Sequence, residues 1–388
     1  MKNRKLLMIP GPIEFEPSVL RAMGEVTTSH VAPNFIETFG NCLDIMQELW
    51  KAPNGQPFII TGSGTLAMDM AISNLIEYGD NALVLSTGYF GNRFKDILTT
   101  YGANVTMLSA SIGKTVPLED IEKALKQKKY KLLTMTHVDT STGVLINPKP
   151  IADLAKKYNA LTVLDGVCSV AGEKIEQEEW GIDVVLTGSQ KAIGVPPGLA
   201  LLVASPKAMT TWKNRNTPVQ SYYSNWKYWL PIMQAYQHRT PSYFGTPSVN
   251  LIRALEVSLT TIKKQHIDTR TAIHKKYATA FRKAIEAIDL KILPFSNEIA
   301  ANTLTAIYYP TGIDGNEFRK KVSELGVIIA GGLHPEIKST YFRVGHMGAI
   351  NTADIIATLS AIEYGLSKEG HPFTLGNSLA AFQQALSS

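Results

Sequence analysis

From about residue 57 the chain alternates short apolar runs with segments of helical period. Residues 58–60 read as a buried strand, followed by the turn Thr61-Gly62-Ser63-Gly64-Thr65 and a helix over 66–76 that is apolar nearly all round. A second strand is predicted over 82–86, with a glycine loop at 88–91 and an amphipathic stretch over 93–101 behind it. Runs at 105–108, 131–136, 161–164, 184–187 and 199–204 continue the series, with helical patterns between several of them, such as 151–158. Apolar runs of this length, bounded by turn residues and separated by helices, predict a mostly parallel sheet covered on both faces.

The pattern changes between about 210 and 247, where Trp212, Tyr222, Tyr223, Trp226, Tyr228, Trp229, Tyr236, Tyr243 and Phe244 crowd a stretch of weak periodicity. Such an aromatic load predicts loops packed at an interface or at the mouth of a site. A long helix follows from about Ser248 into the 260s, and Tyr277, Phe281, Ala284, Ile285 and Ile288 mark one face of another. Short strands at 304–308, 327–329 and 341–344 and helices at 315–325 and 352–366 then predict a smaller α+β domain. The expected division is a 1–20 N-terminal segment, a 21–262 large domain and a 263–388 small domain. Ile9-Pro10-Gly11-Pro12, near the start, is a turn that neither helix nor central strand accommodates.

With 388 residues, 45% apolar and 18% charged, the composition is that of an ordinary globular protein large enough for two cores. The net charge of +5 is mild, and aromatics do not interleave with Arg or Lys along one stretch, which argues against nucleic acid. No apolar run approaches the roughly 20 residues of a membrane span. Cys42 and Cys168 are far apart and lack metal-ligand spacing, so neither a disulfide framework nor a metal site is expected. The basic start is followed by too short an apolar segment for a signal peptide, and cytoplasm is the expected compartment.

Against this background Lys191 stands out, in a tight turn between two apolar runs where a charged amine is costly. Desolvation favours the neutral amine, which suits a lysine that forms a Schiff base with a carbonyl; a surface lysine in a β-turn is the simpler alternative. The Gly62-Ser63-Gly64-Thr65 turn before a helix fits an anion cradle, although plain helix capping has the same appearance. Asp165 ends a buried strand, where α/β sheets bind ligands, or else caps the next helix. Thr140-Ser141-Thr142-Gly143 offers hydroxyls at another strand end, and the nearby His137 reads as a core or wall residue rather than a base.

An anion cradle, a strand-end Asp and a strand-end Lys together are the needs of pyridoxal phosphate. The chain resembles class V, fold-type-I aminotransferases, most of all the alanine–glyoxylate and serine–glyoxylate (serine–pyruvate) group, almost end to end. The blocks that carry the resemblance are 136–144 (Thr-His-Val-Asp-Thr-Ser-Thr-Gly-Val), 164–169 (Leu-Asp-Gly-Val-Cys-Ser), 188–198 and 343–348 (Arg-Val-Gly-His-Met-Gly). The resemblance implies that Lys191 carries the cofactor and shuttles the proton, Asp165 pairs with the ring nitrogen and Val167 packs under the ring. Phe90 matches a ring-stacking aromatic, often Trp in relatives. Ser63, Gly64, Thr65 and Gln190 match phosphate contacts and Ser141 a contact to the ring oxygen. Tyr243 and Thr246 match residues that reach the phosphate of a neighbouring subunit, which implies a homodimer with shared sites and the 1–20 segment packed at the dimer interface and site mouth. Arg343 matches the arginine that grips the substrate α-carboxylate, and Gly11 lines the substrate pocket. The implied activity is transfer of the amino group of alanine or serine to glyoxylate, giving glycine and a 2-oxo acid. Alternatives are a sister transaminase using 2-aminoethylphosphonate with pyruvate or ureidoglycine with glyoxylate, or a non-catalytic protein of the same fold. A cysteine desulfurase is set aside because no cysteine follows Cys168. No second arginine falls in a motif that would receive a side-chain carboxylate, which tilts against aspartate or glutamate as donor.

Overall fold

A computed structural model of the chain describes residues 5–387. Its centre is a seven-stranded sheet, in spatial order Gln56–Thr61, Leu199–Ala204, Val184–Gly188, Leu161–Asp165, Leu132–Thr136, Asn81–Ser86 and Asn104–Ser109. Leu199–Ala204 runs antiparallel to both neighbours, and all other pairings are parallel. Every residue of the four middle strands from Leu199–Ala204 to Leu132–Thr136 is buried, as expected when helices cover both faces. The edge strand Asn104–Ser109 is the one that reaches solvent along its length. Asp165 pairs in register with Thr136 on one side and Leu186 on the other, so it ends the central strand with flanking chain on both sides.

The predicted strands hold, with ends moved by a residue or two. The aromatic stretch does not form only loops. Trp226–Gln237 is a helix that buries Trp226, Trp229, Ile232, Met233 and Tyr236 on one side. Pro231 inside it removes a backbone donor and disguises the period. The helix predicted from Arg93 starts four residues earlier, at Tyr89. Helices Pro17–Met23, Pro33–Leu49, Pro206–Lys213 and Asn377–Ser387 were not anticipated.

Two large apolar clusters form. One surrounds the central sheet and takes in Ile252, Leu255, Leu259 and Ile262 of helix Val249–Gln265. The other gathers Phe281, Ile285, Phe318, Phe342, Val344 and Ile362 around a three-stranded antiparallel sheet with Tyr341–Gly345 at its centre. Leu6–Leu7 pairs in parallel with Val327–Ile328, and Met8 belongs to the second cluster. The N-terminal segment thus leaves this separate two-stranded pairing, beside the second cluster, and crosses towards the central sheet. Among the described residues no helix is long and apolar enough to cross a membrane.

Between helices Val249–Gln265 and Ile267–Glu286 the chain turns at a single residue, His266, with φ 61° and ψ 124°. A side chain in that conformation is strained. His266→Gly is expected to raise stability by about 1 kcal/mol, the strain relief exceeding the added unfolded-chain entropy. A higher denaturant midpoint at unchanged slope checks this; an unchanged or lower midpoint contradicts it.

Candidate functional site

At the carboxyl ends of the parallel strands lies a cavity of about 220 Å³. Gly11, Ser63, Gly64, Thr65, Phe90, Asp165, Val167, Gln190 and Lys191 all line it. Larger clefts of about 910 and 860 Å³ open elsewhere, but neither is lined by any residue singled out from the sequence for cofactor or substrate. His137 faces the second cleft, buried with its ring edge-on to Trp180 at 5.9 Å. Burial holds its pKa down at about 3, which makes it a neutral wall residue.

Lys191 sits in a turn held by its own backbone. Ser189 N–H donates to Leu199 O (3.1 Å), Gly194 N–H to Lys191 O (2.7 Å) and Val195 N–H to Ser189 O (2.9 Å). The lysine is 7% exposed, and its Nζ donates to Pro10 O. Burial pushes its pKa below the ordinary lysine value; nearby Arg343 pushes the same way, while Cys168 and Asp165 oppose. Gly11 has φ +105°, and a Cβ there would lie 2.5–2.7 Å from Lys191 Cδ, Cε and Nζ. Only glycine lets the N-terminal segment pass this close to the amine.

Asp165 is 2% exposed, and its Oδ1 accepts from Val167 N–H at 2.9 Å. Burial raises its pKa to about 7, against the lowering effect of the Val167 N–H; Asp139 adds to the rise, and Lys191 and Arg93 oppose it. It forms no ion pair among the described residues. A second carboxylate, Asp139, is fully buried and caps helix Tyr89–Thr100 from a distant segment. Its Oδ2 accepts from Phe90 N–H (3.0 Å) and Gly91 N–H (3.3 Å), and its Oδ1 from Ser141 N–H (2.9 Å) and Oγ–H (2.5 Å). Ser141 Oγ in turn accepts from Tyr89 N–H at 3.0 Å. Ser141 is therefore turned to Asp139 and does not line the cavity.

Helix Gly64–Leu75 opens into the cavity, and Ser63 at its N-cap makes no side-chain cap bond, which leaves first-turn N–H groups for a ligand. The amide oxygen of Gln190 is buried without a partner. A Cβ on Gly64 would lie 2.8 Å from Val167 Cγ2, so the glycine keeps this end open. An uncapped helix start, a Gln190 carboxamide whose oxygen holds no partner and which can turn its NH2 to an anion, and an unpaired carboxylate, with the side chains of Phe90 and Val167 in the same lining, fit a flat aromatic group with an anionic arm and a basic ring nitrogen.

Arg343, Tyr243 and Thr246 do not line the cavity. Strand alternation sends Phe342 and Val344 into the second apolar cluster and Arg343 to the other face. There its Nε donates to Gly331 O (2.9 Å) and its Nη1 to Thr140 O (3.0 Å), and Thr140 does line the cavity. Tyr243 is 62% exposed, its hydroxyl 3.4 Å from Thr246 Oγ1. Sequence reasoning missed Asp139, Cys168 and Arg93. Cys168 and Arg93 line the cavity. The signal for Arg93 was its position one turn beyond Phe90, visible only if the helix is started at Tyr89.

The Asp165 pKa gives a signed expectation for the protein without ligand. A carboxyl raised from 3.8 to about 7 contributes stability below pH 4 that is lost as pH rises through 7. Asp165→Asn should therefore be more stable than the parent at pH 8, by up to about 4 kcal/mol, with the advantage shrinking towards pH 4. Denaturant melts of ligand-free protein at both pH values check this; an advantage independent of pH contradicts it. Gly11→Ala should lower activity at least tenfold by displacing Lys191 or the 9–12 segment, and near-normal turnover would refute that packing.

Residues 18–358 match the family model for class-V aminotransferases. Over 360 residues the chain is 38% identical to alanine–glyoxylate aminotransferase 1 of Saccharomyces cerevisiae, which covers 89% of this chain and 93% of the yeast protein. Among solved structures it superposes on ureidoglycine–glyoxylate aminotransferase from Bacillus subtilis with a TM-score of 0.92 at 26% identity, covering 100% and 99% of the two chains. Pyridoxamine–pyruvate aminotransferase from Mesorhizobium loti gives 0.93 at 25% identity, over 99% and 98%. With the fold, the cavity and these likenesses in agreement, the chain belongs to the class-V aminotransferase family.

Proposed function

We propose that this enzyme is a pyridoxal-phosphate transaminase that moves the amino group of a small neutral L-amino acid, alanine or serine, to glyoxylate. The observation that carries the reading is one cavity holding a buried amine, a buried carboxylate and an open helix start, with an anchored arginine behind its wall at Thr140. The yeast relative's name supports the donor and acceptor.

Bound here, pyridoxal phosphate supplies an electron sink for charge developing at the substrate Cα. The Ser63–Thr65 turn and Gln190 hold its phosphate, Asp165 keeps its ring nitrogen protonated, and Phe90 and Val167 clamp the ring. Lys191, as a neutral amine favoured by burial, takes the proton from the substrate Cα and returns it on the cofactor side. Arg343 has its Nε and Nη1 committed to backbone carbonyls, which orients Nη2 for the α-carboxylate. Tyr243 and Thr246, away from the cavity of their own chain, belong in this reading to the phosphate site of a second subunit, which makes the unit a homodimer. Residues 21–262 then form the cofactor-binding body and 263–388 the smaller one that carries Arg343.

A second reading, ureidoglycine as donor, is favoured by the close superposition on the Bacillus enzyme. Turnover of alanine, serine and ureidoglycine against glyoxylate and pyruvate separates the two. The account expects alanine or serine with glyoxylate to lead, and a preference for ureidoglycine would replace it with the second reading. Lys191→Ala should abolish transfer with every donor. Arg343→Gln should lower kcat/KM by about 10- to 100-fold, mainly through KM, with cofactor retained; release of cofactor instead would mean the role is misassigned.

A further inference from the structure

We propose that Arg93 is a further anion-binding residue of this cavity, and that its guanidinium contacts the cofactor phosphate at the Ser63–Thr65 turn. The inference rests on the cofactor reading above. Arg93 Nη1 donates to Thr65 Oγ1 at 2.8 Å, on the turn whose N–H groups face the cavity. Its guanidinium carbon lies 4.9 Å from the Phe90 ring centre and 5.3 Å from that of Tyr89, which positions the cation without neutralising it. Among the described residues it pairs with no carboxylate, so its remaining N–H groups are open to an oxyanion.

The charges of the cavity require such a group. Lys191 and Arg93 are the basic residues that line it. Lys191 is biased to the neutral form and is the reacting amine, and Arg343 lies outside the lining, with its Nη2 left for the substrate carboxylate. The other nearby helix start, at Tyr89, is already filled by Asp139 and Ser141. A dianionic phosphate in this cavity therefore has the Gly64 helix start and Arg93 as its neutralising partners in this chain. Arg93 keeps its charge at any working pH and presents paired N–H donors to oxyanions. The same chemistry would suit the distal carboxylate of a dicarboxylic donor, but contact with Thr65 places the cation at the phosphate turn.

Cofactor-stripped protein, titrated with pyridoxal phosphate and with pyridoxal and followed by absorbance, tests the assignment without relying on turnover. Arg93→Gln should weaken pyridoxal phosphate binding about 10- to 100-fold while pyridoxal changes less than about threefold, and Arg93→Lys should recover part of the loss. Equal weakening of both ligands would reduce Arg93 to a structural role and overturn the proposal. So would unchanged pyridoxal phosphate affinity with a selective loss of aspartate turnover, which would assign the cation to a substrate carboxylate. Wild-type protein that binds neither ligand saturably would sink the cofactor reading itself, whereas wild-type binding that Arg93→Gln leaves unaltered sinks the Arg93 assignment alone.

Discussion

A carboxylate and an amine share one small cavity at the carboxyl edge of the sheet, and each is driven towards neutrality by its burial. Asp165 is held there by strand register between Thr136 and Leu186, and Lys191 by a turn whose bonds close on Ser189, Leu199 and Val195. The ligand-free protein therefore stores an unfavourable desolvation that a ligand with a basic ring nitrogen and a reactive carbonyl relieves. Stability and function pull against each other at this edge, as expected where a site is built ahead of its ligand.

The remaining parts of the site come from far along the chain and depend on close backbone approaches. Gly345 donates its N–H to Met8 O at 2.9 Å, and a Cβ there would lie 2.6 Å from Ile9 C and 2.7 Å from Pro10 Cα. That contact delivers Pro10 O to Lys191 and Gly11 to the cavity wall, two residues from the strand position of Arg343. Arg270, in the helix after His266, donates to Ala171 O (2.9 Å) and Ala192 O (2.9 Å). Helix Ile267–Glu286 is thus tied directly to the turn that carries Lys191. His274, one turn further, accepts from Gly348 N–H at 3.2 Å, beyond the Arg343 strand.

Much of this was legible in the chain because the signals were local. Fully buried strands read as unbroken apolar runs, and a glycine turn before an apolar helix marked the open helix start. What stayed hidden depended on contacts between distant segments. The Tyr89 helix begins where Asp139, some fifty residues on, supplies its cap, and its own cap position is Gly88, which has no side chain to announce the start. With that start misplaced, Arg93 was not seen to share a face with Phe90. The same cap explains Ser141, whose hydroxyl is occupied by Asp139 and Tyr89 rather than open to the cavity. In Trp226–Gln237 the apolar face was present, but an interior proline and aromatics on neighbouring positions masked it.

The central claim is that Lys191, among the chain's lysines, carries the cofactor in this cavity. Borohydride reduction of protein loaded with pyridoxal phosphate, followed by peptide mapping by mass spectrometry, tests it most directly. One reduced cofactor per chain is expected, on the peptide that contains Lys191. A label on another lysine, or no label after saturating cofactor, would contradict it.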